Sequence, residues 1–206
     1  MTEKPVLEKE SAQKIIMAAR DEFGEVGLDG ARVDRIARRA GINKAMIYYH
    51  FHSKENLYKE VIREHLSRIG EFLDRNIESE NDPEKVLLNF AGFFEKMFRE
   101  RGSFAPIFLR ELASGGELIS QAFARMISEH GLDYKLKMLL ERGKKDGTFR
   151  DLDSLHTIFS FLGMNIYYFA AAPILNSVWE IKDEKSFREN RQKEVVDLFL
   201  YGLKTR

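Results

Sequence analysis

Apolar residues recur along nearly the whole chain at three- and four-residue intervals, the spacing of helices that bury one face, and not at the two-residue alternation of a strand. Ile15, Ile16, Ala19, Phe23 and Val26 form a first stripe, with Gly24 and Gly27 near its end. Val33, Ile36, Ala37 and Ala40 form a second, short one that Gly41 stops, and Ile47 and Phe51 a third. Ser53 offers an N-cap to a long fourth helix with Leu57, Val61, Leu66, Ile69 and Leu73 inward. Asn81-Asp82-Pro83 then breaks the chain and supplies a cap and a first-turn proline. Five further helices are expected over Glu84–Arg101, Phe104–Ser114, Glu117–Lys144, Ser154–Ala172 and Lys185–Leu203. Gly102-Ser103, Gly115-Gly116, the Asp146-Gly147 turn and the stretch from Pro173 to Asp183 separate them. The pattern predicts an all-α protein of about nine helices. A three-helix N-terminal domain takes residues 1–55, the helix from residue 53 links, and a larger helical domain takes residues 56–206.

The segment from Gly30 to Lys54 carries the most specific spacing. Its second helix, about Val33 to Ala40, is two turns long; Gly41 permits the left-handed backbone of a tight turn, and Ile42 plugs the gap between helices. Asn43 can cap the next helix. Two short helices joined this way form a helix-turn-helix. At ~100° per residue, Ile47 and Phe51 share the inward face, Ala45 and Tyr49 lie opposite, and Met46 and Tyr48 flank them. That outward face suits a major groove, where Met and Ala touch thymine methyls and Lys44 donates to guanine.

Charge changes the picture locally. The chain as a whole is neutral, so indiscriminate coating of nucleic acid is excluded. Between Gly30 and Lys54 stand six cations (Arg32, Arg35, Arg38, Arg39, Lys44, Lys54) and one acid, Asp34, a net of +5. Phosphate binding needs such a concentration. Lys54 follows the Ser53 cap, beside the free N–H groups of a helix start where a phosphate gains twice.

These residues closely resemble the tetracycline-repressor (TetR/AcrR) family. The matching signature is Ile36-Ala37, Ala40-Gly41-Ile42, Ile47-Tyr48-Tyr49-His50-Phe51, Ser53-Lys54-Glu55 and Leu57, within a specific likeness over about Ser11–Ile62. The resemblance implies a homodimer whose third helix enters the major groove of a palindromic operator. It also implies a C-terminal domain that binds a small effector, with its last two helices forming the dimer interface. By match to the motif, Lys44, Met46, Tyr48, Tyr49, His50 and Lys54 would face DNA. Arg32 stands where the family places a Ser or Thr cap, exchanging the cap for a phosphate contact, and Ala45 replaces a common Gly. With Asn43, these make up the expected DNA-binding set.

The remaining composition bounds the rest. There are no cysteines, which removes disulfides, thiol nucleophiles and Cys-ligated metals. No metal and no cofactor is expected, since His50 and His52 sit on different helix faces and His65, His130 and His156 stand alone. Met1 to Glu10 lacks an apolar signal core, and Ser160, Asn165, two Tyr and Pro173 interrupt the longest apolar stretch, Ile158 to Leu175; the reading is a soluble, cytosolic protein without a membrane partner. No G-x-S-x-G, H-E-x-x-H, Walker or G-x-G-x-x-G motif is present, which argues against an enzyme. Sixteen Phe and seven Met suit an adaptable apolar pocket. Phe94, Met97, Phe108, Arg110, Met138, Phe159, Asn165 and Tyr168 are the candidate lining, for a hydrophobic or amphipathic molecule. Leu155, Phe159, Leu162 and Ile166, with Val195, Phe199 and Leu203, are the candidate dimer interface. The overall expectation is an effector-released repressor; the alternative is a helical carrier or adaptor that has lost DNA binding.

Overall fold

The computed structural model describes residues 6–80, 82–99 and 104–204. They form ten helices: α1 (Val6–Gly30), α2 (Val33–Ala40), α3 (Lys44–Phe51), α4 (Lys54–Ser79), α5 (Pro83–Arg99), α6 (Ala105–Ala113), α7 (Glu117–His130), α8 (Leu132–Lys145), α9 (Ser154–Val178) and α10 (Glu184–Leu203). Among the described residues there is no strand, only an isolated bridge between Phe149 and Lys204. The expected separators at Asn81 and Gly102-Ser103 lie outside the described residues.

Two elements depart from the expected pattern. The single helix expected over Glu117–Lys144 is two, because Gly131 adopts φ 58°, ψ 35°, left-handed backbone that interrupts the hydrogen-bond ladder. The helix expected to end at Ala172 runs on through Pro173 to Val178. A proline withholds one N–H, but its fixed φ is itself helical, so an otherwise favourable helix can absorb it.

The chain forms two compact units, residues 1–68 with 100–125 and residues 69–99 with 126–206. The expected boundary near residue 55 is therefore drawn differently, since α6 belongs to the N-terminal unit. Its attachment has a local cause. Gly27 (φ 74°) breaks the helical run of α1, and Arg110 of α6 donates to the carbonyls of Phe23, Gly24 and Glu25 at 2.7–3.1 Å. Beside it the buried Tyr58 hydroxyl donates to Glu111 at 2.8 Å. Burial, then the Glu111 carboxylate, push the Tyr58 pKa up, so the phenol stays a donor. Arg110 thus serves a helix end, which corrects its assignment to an effector.

In the second unit a ladder of rings fills the space between helices. Phe90 meets Phe94 at 4.6 Å and Phe161 at 5.9 Å, Phe98 stacks on Phe169 at 4.8 Å, and Phe161 meets Phe199 at 5.0 Å. Asp74 of α4 ties in α7 and α8 through His130 Nδ1 and Lys135 Nζ, each at 2.5 Å. Gly70 lies under the His130 ring, where a Cβ would come within 2.4 Å.

Candidate DNA-binding surface

The turn between α2 and α3 is built as its residue types demand. Gly41 sits at φ 66°, ψ 34° and closes α2 with its N–H on the carbonyls of Ala37 and Arg38. The Asn43 side chain accepts the Ala45 N–H at 2.9 Å and so caps α3, and Ser53 Oγ accepts the Asn56 N–H at 3.1 Å at the start of α4. Ile47 and Phe51 are buried, leaving Ala45, Tyr48 and Tyr49 exposed and Met46 half-buried, the arrangement the angular reading predicts.

Arg32 occupies the N-cap of α2 without a side-chain cap. A residue that sequence reasoning missed replaces the Ser or Thr. Glu22 of α1, fully buried, accepts the Arg32 N–H at 3.3 Å and brings a carboxylate to the helix start, where its charge is favoured. The same carboxylate pairs with Arg35 at 3.1 Å and Arg39 at 3.6 Å, and Glu25 takes Arg39 again at 2.6 Å. The Arg39 hydrogen bond holds the Glu25 carboxyl below the usual range. Two of the six cations are thus matched by acids from another helix, and the outward charge is smaller than the +5 of the segment.

The remaining cations and polar groups divide. Lys44 pairs with Asp34 at 2.9 Å. Tyr49 donates to a Glu8 carboxylate oxygen at 3.2 Å, which raises the phenol's pKa. His50 Nε2 lies 2.8 Å from Ser11 Oγ. Lys54 reaches the carbonyls of Ala31 at 3.3 Å and Asp29 at 3.5 Å. Without DNA these four surface side chains take partners from the protein itself, which they would exchange on binding phosphate or base. The side chains of Arg32 and Arg38 are exposed, with no carboxylate in ion-pair range among the described residues.

The face therefore offers a small apolar-aromatic surface with free guanidiniums beside it on a two-turn helix. Residues 15–61 match the family model described as bacterial regulatory proteins, tetR family. Over those residues the chain is similar to the tetR family. Similar full-length proteins include the repressor NicS of Pseudomonas putida, 26% identical over 92% of this chain and 91% of that one. The fatty acid degradation regulator FadR of Bacillus halodurans superposes with a TM-score of 0.72 at 25% identity over 100% of both chains. FadR of Bacillus subtilis, solved with stearoyl-CoA, shares the fold at TM-score 0.71 and 20% identity over 92% of this chain and 98% of that one. The chain is thus a helix-turn-helix transcriptional regulator.

Of the other expected site residues, Asn165 and Tyr168 come together. They line a cleft of about 300 Å³ with Ala91, Met164, Arg188 and Arg191. Asn165 donates to the Phe161 carbonyl at 2.8 Å, and Arg191 lies 5.0 Å over the Tyr168 ring. Phe94 and Met97 are corrected to core: both are buried, Phe94 within the ring ladder. Met138 and Phe159 point outward, 47% and 62% exposed, and Phe108 belongs to the N-terminal unit. Of the expected dimer residues, Leu155 is exposed and Leu162, Ile166 and Val195 are half-buried. Phe199 and Leu203 are buried within the protomer, Phe199 against Phe161, which corrects their place in an interface.

Proposed function

We propose that this regulator represses transcription as a dimer on a palindromic operator and is released by a small amphipathic molecule. The observation that carries the DNA reading is the α3 face itself: Ala45, Met46, Tyr48 and Tyr49 outward, with Arg32, Arg38 and Lys44 around them. Met46 and Lys44 read bases; Tyr48, Arg32, Arg38, Tyr49, His50 and Lys54 hold phosphates. Footprinting on the DNA upstream of its coding region should reveal two protected half-sites; a carrier or enzyme would protect nothing. Tyr48→Phe and Arg38→Ala should weaken binding to all duplexes alike, by about tenfold for a lost charged contact, and lower the salt dependence for Arg38. Met46→Ala should change the preferred base instead, read by competition between operator variants.

Dimerisation is supported by an uncovered apolar face. α9 is apolar and long enough, by length and composition, to cross a membrane, yet only 22% of that stretch is buried in the protomer. Leu155, Phe159, Tyr167, Ile174 and Val178 on α9, and Leu198 and Tyr201 on α10, are exposed. Gly163 lies on the same side with nothing near its Cβ position, so a second copy can approach closely. Two helices from each protomer then make a four-helix interface.

The effector reading rests on two clefts of the second unit. One, of about 320 Å³, is apolar, between Leu87, Phe90, Leu139, Ile158, Phe161 and Leu162. The other is the Asn165–Tyr168 cleft with its two arginines. Both are partly open to solvent, and the stearoyl-CoA bound by Bacillus subtilis FadR is amphipathic in the same sense. A thermal-shift screen of fatty acids and acyl thioesters tests this. A binder that raises Tm in the wild type and not in Tyr168→Ala supports the cleft, and a panel without any shift removes it.

A further inference from the structure

Apart from the two clefts of the second unit, the N-terminal unit holds an opening of its own, of about 230 Å³, between α1 and α4. Ile16, Met17 and Arg20 line it from α1; Val61, Glu64, His65 and Arg68 line it from α4. His65 is 5% exposed and stacks on Phe104, the N-cap of α6, at 4.8 Å. Neither of its ring nitrogens has a hydrogen-bond partner among the described residues. The same holds for Arg20 Nε, which is buried and stands 3.8 Å from Asp21 Oδ1, beyond hydrogen-bond reach. Buried donors without acceptors are rare, because leaving one unmade forfeits its hydration with no return.

We propose that this opening binds a small oxyanion, a carboxylate or phosphate group, received by His65 and Arg20. An imidazole N–H and a guanidinium Nε–H that line one cavity both want an acceptor, and an oxyanion supplies two. The surroundings set the sign. Arg20 and Arg68 bear on His65 with positive charge; of the nearby carboxylates, Glu64 at the rim already accepts from Gln13 Nε2 at 2.7 Å, and Asp21 Oδ1 stands 3.8 Å from Arg20 Nε, which an incoming anion must displace. Burial first, then these two arginines, hold the imidazole neutral, with a pKa pushed down to about 3. A bound anion offsets that field and raises it. The opening is narrow and closed in by α1 and α4, which restricts the ligand to the size of acetate or inorganic phosphate.

The test titrates the full-length protein with acetate and with inorganic phosphate at constant ionic strength, chloride being the control. At about ten times its Kd, the matching anion should raise Tm by roughly 3–6 °C. His65→Phe, which keeps the ring on Phe104, and Arg20→Met should each lose that rise. A response to acetate alone marks a carboxylate site and a response to both a general oxyanion site; either supports the proposal. In the wild type, the His65 imidazole ¹⁵N resonances should move saturably with the same Kd, a readout that survives if the variants fold poorly. An anion response that persists in both variants overturns the site. So do resonances that stay fixed up to ~50 mM anion, because water alone then satisfies the ring.

Discussion

Glutamate at both Phe159 and Ile174 is expected to yield a folded monomer whose affinity for operator-length DNA falls by about 10²–10⁴-fold. Both side chains are more than 60% exposed in the protomer, so their loss removes no internal packing. In the proposed dimer each protomer would carry two unpaired charges into an apolar interface, at a desolvation cost that opposes association. The DNA effect follows from linkage: a dimer's second half-site contact is intramolecular, and breaking the dimer removes that effective concentration. Sedimentation at micromolar protein and fluorescence anisotropy on a two-half-site duplex read the two consequences. Phe199→Glu supplies the contrast. Its ring packs on Phe161 inside the protomer, so that variant is expected to unfold outright. A double variant that remained dimeric would place the interface elsewhere.

This contrast locates where sequence pattern stops being informative. Val195, Val196, Phe199 and Leu203 make one apolar stripe, and periodicity alone cannot say whether it faces the protomer's own core or a partner. The structure gives Val196, Phe199 and Leu203 to the core, leaves Val195 half-buried, and turns Leu198 and Tyr201, from the same apolar run, outward. The helix-turn-helix was legible because each determinant is local: Gly41 at a left-handed turn, Asn43 and Ser53 capping within three residues, Ile47 and Phe51 one turn apart. The charge of that segment was not, because Glu22 and Glu25 lie on another helix and only packing brings them to Arg35 and Arg39. Arg110 escaped for the same reason: its acceptors are carbonyls 85–87 residues away, freed by the break at Gly27. Tyr58–Glu111 and the pairing of Lys44 with Asp34 are further contacts that no spacing rule encodes.

Acidification is expected to destabilise this protein through His65 in a window that carboxylates alone would not produce. The folded-state imidazole titrates at about 3, against ~6.5 when unfolded. Between those values the unfolded chain binds the proton and the folded one does not, so stability falls as pH drops below about 6.5 and stops falling, for this group, near its folded pKa. The slope from one such histidine approaches ~1.4 kcal/mol per pH unit at mid-window, a large share of a typical stability of ~5–15 kcal/mol. The groups facing the ring favour this sign. Arg20 on α1 and Arg68 on α4 oppose a further positive charge, and Phe104, the N-cap of α6, offers it no hydrogen bond. Urea unfolding of wild type and His65→Phe from pH 7.5 to 4.5 isolates the effect, since the other titrating groups are common to both. The difference in stability between them should change steadily in favour of the variant as pH falls. Parallel curves would mean that the folded imidazole accepts its proton near 6.5, and hence that an acceptor already sits beside it. Because a bound oxyanion does the same, saturating acetate or phosphate should flatten the wild-type curve toward that of the variant.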